Sequence, residues 1–124
     1  MDYQETNKQN ISKWESTLKY LINILKENNL EYYLSASGLN YIQGSNLYPY
    51  DIDIFMSKEN VEKAFNLLEK YKTSSLHYWE EGNKKLLEFQ GIHNDIPFKI
   101  CEWEEEPTKL KTIELKDMLI SVIG

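Results

Sequence analysis

The chain contains no arginine; all fourteen of its basic residues are lysines. That removes the planar guanidinium fork that grips phosphates and carboxylates bidentately, so any phosphate contact must come from lysine, hydroxyls, backbone N–H groups or a metal ion. One cysteine, Cys101, excludes an internal disulfide and any cysteine-based zinc site. Positive charge is in deficit as well. The net charge of -6 argues against broad nucleic-acid binding, which shows as a basic patch. No apolar run approaches twenty residues, and Met1 leads into Asp2-Tyr3-Gln4-Glu5 rather than a basic and then apolar leader. The expectation is a cytoplasmic, soluble protein without a membrane span. Five glycines and three prolines form no linker or low-complexity tract, and no internal repeat is visible.

What is present suits one folded unit. The chain has 124 residues, 41% hydrophobic and 13% aromatic, enough for one domain over residues 1–124 to bury about two-thirds of its surface. Residues 1–10 are polar and are expected to be flexible. Ser12-Lys13-Trp14-Glu15 reads as a capping box, and Trp14, Leu18, Leu21, Ile22 and Leu25 recur behind it at helical spacing. This helix is expected to end near Asn28-Asn29. Glu31 to Leu34 reads as a short strand. Ser35-Ala36-Ser37-Gly38 follows as a strand-to-helix turn, then a short helix from Leu39 stopped by Gly44. The segment from Ser45 to Tyr50, with Pro49, reads as a loop.

Asp51 to Met56 reads as a strand with Ile52, Ile54 and Met56 on one face and Asp51, Asp53 and Phe55 on the other. Ser57 is placed to cap a helix carrying the stripe Val61, Ala64, Phe65 and Leu68. Three strands are expected next, Ser75 to Trp79, Lys85 to Gln90 and Ile96 to Trp103, with turns at Glu81-Gly82-Asn83 and His93-Asn94-Asp95. The run Glu102 to Glu106, then Pro107, breaks the pattern. Leu115, Met118, Leu119 and Val122 mark a last amphipathic helix, able to pack on the sheet or to meet a homodimer or helical partner. The order α-β-α-β-α-β-β-β-α predicts an α/β (α+β) fold: a mixed sheet of about five strands with helices packed on it.

Asp51 and Asp53 lie two apart on one strand, so their carboxylates point the same way about 7 Å apart. One Mg²⁺ can be held by one or two carboxylates, with waters and phosphate oxygens as its other ligands. Two such ions would clamp an in-line displacement at phosphorus. The alternative is the solvent face of a half-buried strand, but aspartate is disfavoured in strands and two at successive same-face positions need a reason.

The stretch Tyr33 to Gly44, followed by Asp51-Ile52-Asp53-Ile54-Phe55, resembles the DNA polymerase β-type nucleotidyltransferase superfamily, within it the small antibiotic-modifying and minimal nucleotidyltransferases. The resemblance covers residue 31 to about residue 103. It implies a nucleotidyltransferase-like fold and transfer of a nucleoside monophosphate from a nucleoside triphosphate to a hydroxyl of a small molecule or protein. It implies Mg²⁺ on Asp51 and Asp53, with Ser35, Ser37 and Gly38 at the phosphates and a third carboxylate on a later strand. A catalytically inactive binding or regulatory subunit is the alternative.

The chain departs from the pattern in three places. Ala36 stands where the first glycine of the turn belongs. Ser45 and Asn46 stand near Gly44 where a basic residue is common. The third acid is Glu88, or Glu102, or is absent with Lys99 in its place. Pairing the last two strands about Asn94-Asp95 puts Glu88 and Lys99 on one face and Glu102 on the other.

The remaining candidates read more simply. His77 and His93 lack a partner at metal-ligand spacing and suit a strand surface or turn. Cys101 suits half-buried packing. Lys84 and Lys85 suit a solvated hairpin. Ser35 and Ser37 suit helix capping as well as phosphate. Tyr32, Tyr33, Tyr41, Tyr48, Tyr50, Trp79 and Trp103 suit core, strand surface or stacking on a base or acceptor. Glu104-Glu105-Glu106 suits a solvated loop, or an attraction for a cationic acceptor.

Overall fold

Apolar residues at helical spacing build the first layer. The structure, a computed structural model, describes residues 7–124. Helix α1 (Ile11–Glu27) buries Trp14, Thr17, Leu18, Leu21, Ile22 and Leu25 along one stripe. Ser12 lies inside this helix, so the expected capping box is not its start. The start is a turn at Asn7–Asn10: the Asn7 Oδ1 accepts from the Asn10 N–H at 3.1 Å, and the Asn7 carbonyl from Ile11 at 2.9 Å. Residues 7–10 are therefore hydrogen-bonded rather than frayed, while the expectation for residues 1–6 lies outside the described residues. Asn7 and Asn10 bond each other reciprocally across this turn.

Five strands form the main sheet. Strand β1 (Tyr33–Ser35) runs antiparallel to β2 (Ile52–Met56), and β2 runs parallel to β5 (Ile96–Glu102). Strands β3 (His77–Glu81) and β4 (Lys84–His93) complete an antiparallel meander onto β5, giving the order β1-β2-β5-β4-β3. Asn94 and Asp95 take φ of 54° and 66°, the two left-handed residues that a tight hairpin turn demands. The expected mixed five-stranded α+β sheet is thus present. Helix α2 (Ala36–Ile42) follows β1 directly, and α3 (Lys58–Leu67) follows β2, with the Ser57 Oγ accepting from the Asn60 N–H at 3.2 Å.

One face of the sheet is the core. Leu34, Ile52, Ile54, Met56, Phe89, Phe98 and Ile100 are buried there against the stripe of α1 and against Val61, Ala64 and Leu68.

The C-terminal expectation is corrected. Residues 110–123 form a hairpin of β6 (Leu110–Leu115) and β7 (Met118–Ile123), not an amphipathic helix. Burial in β7 alternates: Met118, Ile120 and Val122 enter the core, while Leu119 and Ile123 stay exposed. That is a period of two, and the β-branched Thr112, Ile113, Ile120, Val122 and Ile123 favour it. The helix-like spacing of Leu115, Met118, Leu119 and Val122 counted one outward residue, Leu119, as core. The hairpin is tied down by Lys26 Nζ to the Leu119 carbonyl at 3.0 Å, by the Lys116–Glu15 ion pair at 2.9 Å, and by the Ser121 N–H donating to the Tyr32 hydroxyl at 3.2 Å.

Trp14 joins the layers. Its indole N–H donates to the Asp51 carbonyl at 3.0 Å, and its ring meets Tyr41 edge-on at 5.5 Å. A side chain on Gly38 would stand 2.9 Å from this ring, so α2 can approach Trp14 only because residue 38 is glycine. Trp14→Phe leaves the half-buried Asp51 carbonyl without this donor and opens a small void; the expected loss is about 2–3 kcal/mol, read as a lowered midpoint in urea denaturation.

Candidate functional site

The other face of the sheet is polar and aromatic, and strand register arranges it in rows. One row crosses four strands: Ser35, Asp53, Lys99 and Gln90. The next reads Tyr33, Phe55, Cys101, Glu88 and His77. Asp51 stands one step before β2, two residues from Asp53 and so on the same side. Glu88 and Lys99 share a face, as the pairing about Asn94-Asp95 predicts, and it is the face of the aspartates; Glu102 falls on the other. Its Oε1 accepts from the Leu87 N–H at 3.0 Å instead.

The aspartates are held from behind. Trp14 fixes the Asp51 carbonyl, and the Ser37 Oγ accepts from the Tyr50 N–H at 3.1 Å. Ser37 thereby pins the loop that leads into β2, and its hydroxyl does not cap α2. Ser35 occupies the position before α2, and its side chain makes no capping bond among the described residues. Gly38, expected near phosphate, has a packing reason against Trp14. Ala36 has φ 59°, a left-handed conformation that explains why glycine belongs at this turn. Ala36→Gly relieves that strain; allowing for the extra freedom of glycine in the unfolded chain, the expected gain is about 0.5–1 kcal/mol in a urea titration.

Asp53 is 8% exposed, and its Oδ1 receives no hydrogen bond from any described residue. The Nζ of Lys99 lies 3.9 Å from that oxygen, within ion-pair range and too far for a hydrogen bond. Burial is the main force raising the Asp53 pKa to about 6; the neighbouring Asp51 charge adds to it, and Lys99 opposes it. Burial also raises Asp51, with the hydrogen bond to Asp53 and the charge of Lys99 opposing.

An orphaned buried carboxylate oxygen beside a second carboxylate fits a hard cation such as Mg²⁺. Glu88 does not join them. It lies two strands over and two residues along from Asp53, roughly 12 Å between Cα atoms from the ordinary sheet spacings. No group of three or more acidic, histidine or cysteine side chains among the described residues is placed to hold a metal.

Glu88 has its own partner. Its Oε1 meets the His77 Nε2 at 2.9 Å, while the His77 Nδ1 faces the Ser75 carbonyl at 2.8 Å. The Ser75 carbonyl first, and Glu88 after it, hold the imidazole pKa above its ordinary value. His77 is thus a part-exposed residue of strand β3, as expected, and it is paired there with Glu88. No sequence signal linked the two, since the contact is made only by the β3–β4 register. His93 stacks on Tyr20 at 4.3 Å and is likewise engaged.

Two cavities flank the face. One of about 370 Å³ is lined by Asp51, Lys99, Gln90, Thr73 and Pro97. The other, about 470 Å³, is lined by Tyr33, Phe55, Glu104, Glu105 and Glu106, beside the stack of Tyr33 with Phe55 and Trp103. Cys101 is buried and accepts from the Trp79 indole at 3.4 Å.

No family model matches the chain, and no curated protein matches it in sequence. A solved structure does match in shape. It is a protein of Thermotoga maritima described as a putative nucleotidyltransferase, with a TM-score of 0.76, 17% identity, and coverage of 91% of this chain and 78% of that one. At that identity the likeness establishes the fold, a nucleotidyltransferase-like one. Among the described residues no helix is long and apolar enough to cross a membrane.

The raised Asp53 pKa has a sign. The folded state holds a proton that the unfolded chain has released between about pH 4 and pH 6, so this group's stabilising contribution is lost as pH rises through that window. Asp53→Asn removes the effect. The expected result is a gain of about 1–2 kcal/mol at pH 7, after allowance for solvent screening, and a flatter stability profile between pH 4 and 6 in denaturant titrations.

Proposed function

We propose that this protein binds a nucleoside triphosphate with Mg²⁺ at Asp51 and Asp53 and transfers its nucleoside monophosphate to a hydroxyl of a small molecule or protein. The observation that carries the reading is the orphaned, buried Oδ1 of Asp53 beside Asp51, on a fold shared with a nucleotidyltransferase-like structure. When bound, the magnesium would neutralise charge on the phosphates undergoing in-line displacement.

The chain's own residues supply the rest. Asp51 and Asp53 would hold the ion from a strand anchored by Ile52 and Ile54. Ser35, level with Asp53, and the N–H groups at the start of α2 would face the phosphates. Ser37 and Gly38 contribute by fixing α2 and the loop before β2, which is a supporting role. Glu88, tied to His77, would act as a base only through that pair. The cavity beside Asp51 and Lys99 offers room for part of the nucleotide. The aromatic and acidic cavity beyond Phe55 offers room for an acceptor.

One observation favours a second reading. Lys99, not an acid, stands level with Asp53 on the adjacent parallel strand. A cation there suits a relative that keeps the scaffold and binds nucleotide as a regulatory subunit without turning it over.

Calorimetry with Mg·ATP, followed by an assay for pyrophosphate release with a pool of candidate hydroxyl acceptors, separates the two. The expected outcome is binding that weakens at least about a hundredfold in the Asp51→Asn/Asp53→Asn double variant, in line with loss of both ionic ligands. Pyrophosphate release that survives in the double variant would sink the carboxylate mechanism. Binding without release at any acceptor supports the regulatory reading.

A further inference from the structure

The charge balance around Asp53 points to a role for Lys99 that goes beyond marking an absent acid; the inference rests in its nucleotide half on the reading above. The Asp51–Asp53 pair carries two carboxylates, Asp53 buried and Asp51 half-buried, and the cation beside Asp53 is already part of the chain. The Lys99 Nζ sits 3.9 Å from the orphaned Oδ1, so a cation of the chain itself stands next to the oxygen that a metal would take. A divalent ion bound to that oxygen at about 2.1 Å would lie within close repulsive range of the ammonium group.

The lysine is also placed to move. Its contact with Asp53 is Coulombic and not a hydrogen bond, so no directional bond must break. Its side chain is one-third exposed, and its Nζ already lies 5.8 Å over the Trp79 ring, a surface that can hold the ammonium away from the pair. The same Lys99 and Asp51 line the cavity of about 370 Å³. The sequence has no arginine and neither histidine lines this cavity, so the side-chain cation it offers a phosphate is Lys99.

We propose that Lys99 is the resident counter-ion of the Asp51–Asp53 pair: it excludes a free divalent ion while nucleotide is absent, and passes from Asp53 to the triphosphate when nucleotide arrives with its own metal. Metal and nucleotide then bind together rather than in the order metal first. Lys99 is a positioning and selecting residue, and its removal moves two affinities in opposite directions.

The test uses the full chain in three forms, the wild type, Lys99→Met and Lys99→Arg, each checked for an unchanged thermal transition. Mn²⁺ binding to the nucleotide-free protein is followed by electron paramagnetic resonance. Mg·ATP binding is followed by calorimetry. Lys99→Met is expected to bind free Mn²⁺ about tenfold more tightly than the wild type, because a neighbouring cation no longer opposes the ion. It is expected to bind Mg·ATP about fivefold more weakly, the scale of one exposed charge–phosphate contact. Lys99→Arg keeps the cation and is expected to match the wild type for Mn²⁺. Free Mn²⁺ affinity that is unchanged in Lys99→Met overturns the counter-ion role. Tightened Mn²⁺ with no Mg·ATP binding to any form upholds the counter-ion and overturns the nucleotide half, together with the nucleotide-binding reading. Tightened Mn²⁺ with undiminished Mg·ATP binding overturns the transfer of Lys99 to the triphosphate alone.

Discussion

The hydrogen bond from the Trp14 indole to the Asp51 carbonyl is the contact on which the arrangement turns. It joins the first helix to the first residue of the carboxylate pair, across the whole core layer. The ring that donates it also receives α2 at Gly38 and meets Tyr41 edge-on. Helix α2 in turn holds Tyr50 through Ser37, one residue before Asp51. One buried tryptophan thus sets where the strand begins and how closely the preceding turn lies beside it. A carboxylate two residues later inherits that position with little freedom of its own.

Two buried carboxylates on the same face show how differently a fold treats acids. Glu88 has a histidine whose two nitrogens are both occupied, so its burial is compensated inside the protein. Asp53 has an oxygen facing no donor and a lysine held just beyond bonding distance. Desolvation and the neighbouring Asp51 charge, only partly offset by Lys99, disfavour its ionised form, which is a destabilising feature at neutral pH. Sites that must accept a charged ligand commonly carry such a deficit, because the ligand supplies what the fold withholds.

Much of the architecture was legible because local signals and tertiary packing agreed. The α1 stripe, the Ser57 cap, the alternation through Ile52, Ile54 and Met56, and the Asn94-Asp95 turn all specify the same mixed sheet. Agreement failed at the C-terminus, where Leu119 interrupts a strict alternation and lends Leu115–Val122 a helical period. The turn at Lys116, with φ 54°, has no glycine or asparagine to announce it. At the site, the shared face of Asp51 with Asp53, and that of Glu88 with Lys99, followed from parity along the strands. Which of them approach one another did not, because that depends on strand order: β5 intervenes between β2 and β4, and places a lysine where a chain-order reading allowed an acid. The pairing of Glu88 with His77 was hidden for the same reason, since a hairpin register sets it.

The parallel pairing of β2 with β5 also bears on how the molecule assembles. Asp53 and Lys99 are partners across this pairing, and 99 − 53 leaves them 46 residues apart in the chain. The β3–β4–β5 meander closes through short turns, so its pairings carry little loop-closure cost. The β2–β5 pairing must instead gather α3 and the meander before it is rewarded by burial of Ile52, Ile54 and Ile100. Loop-closure entropy thus favours the meander forming before β2 docks on it. On that order the electrostatic conflict at Asp53 arises when β2 docks, and its cost falls on the stability of the finished fold more than on the rate of reaching it.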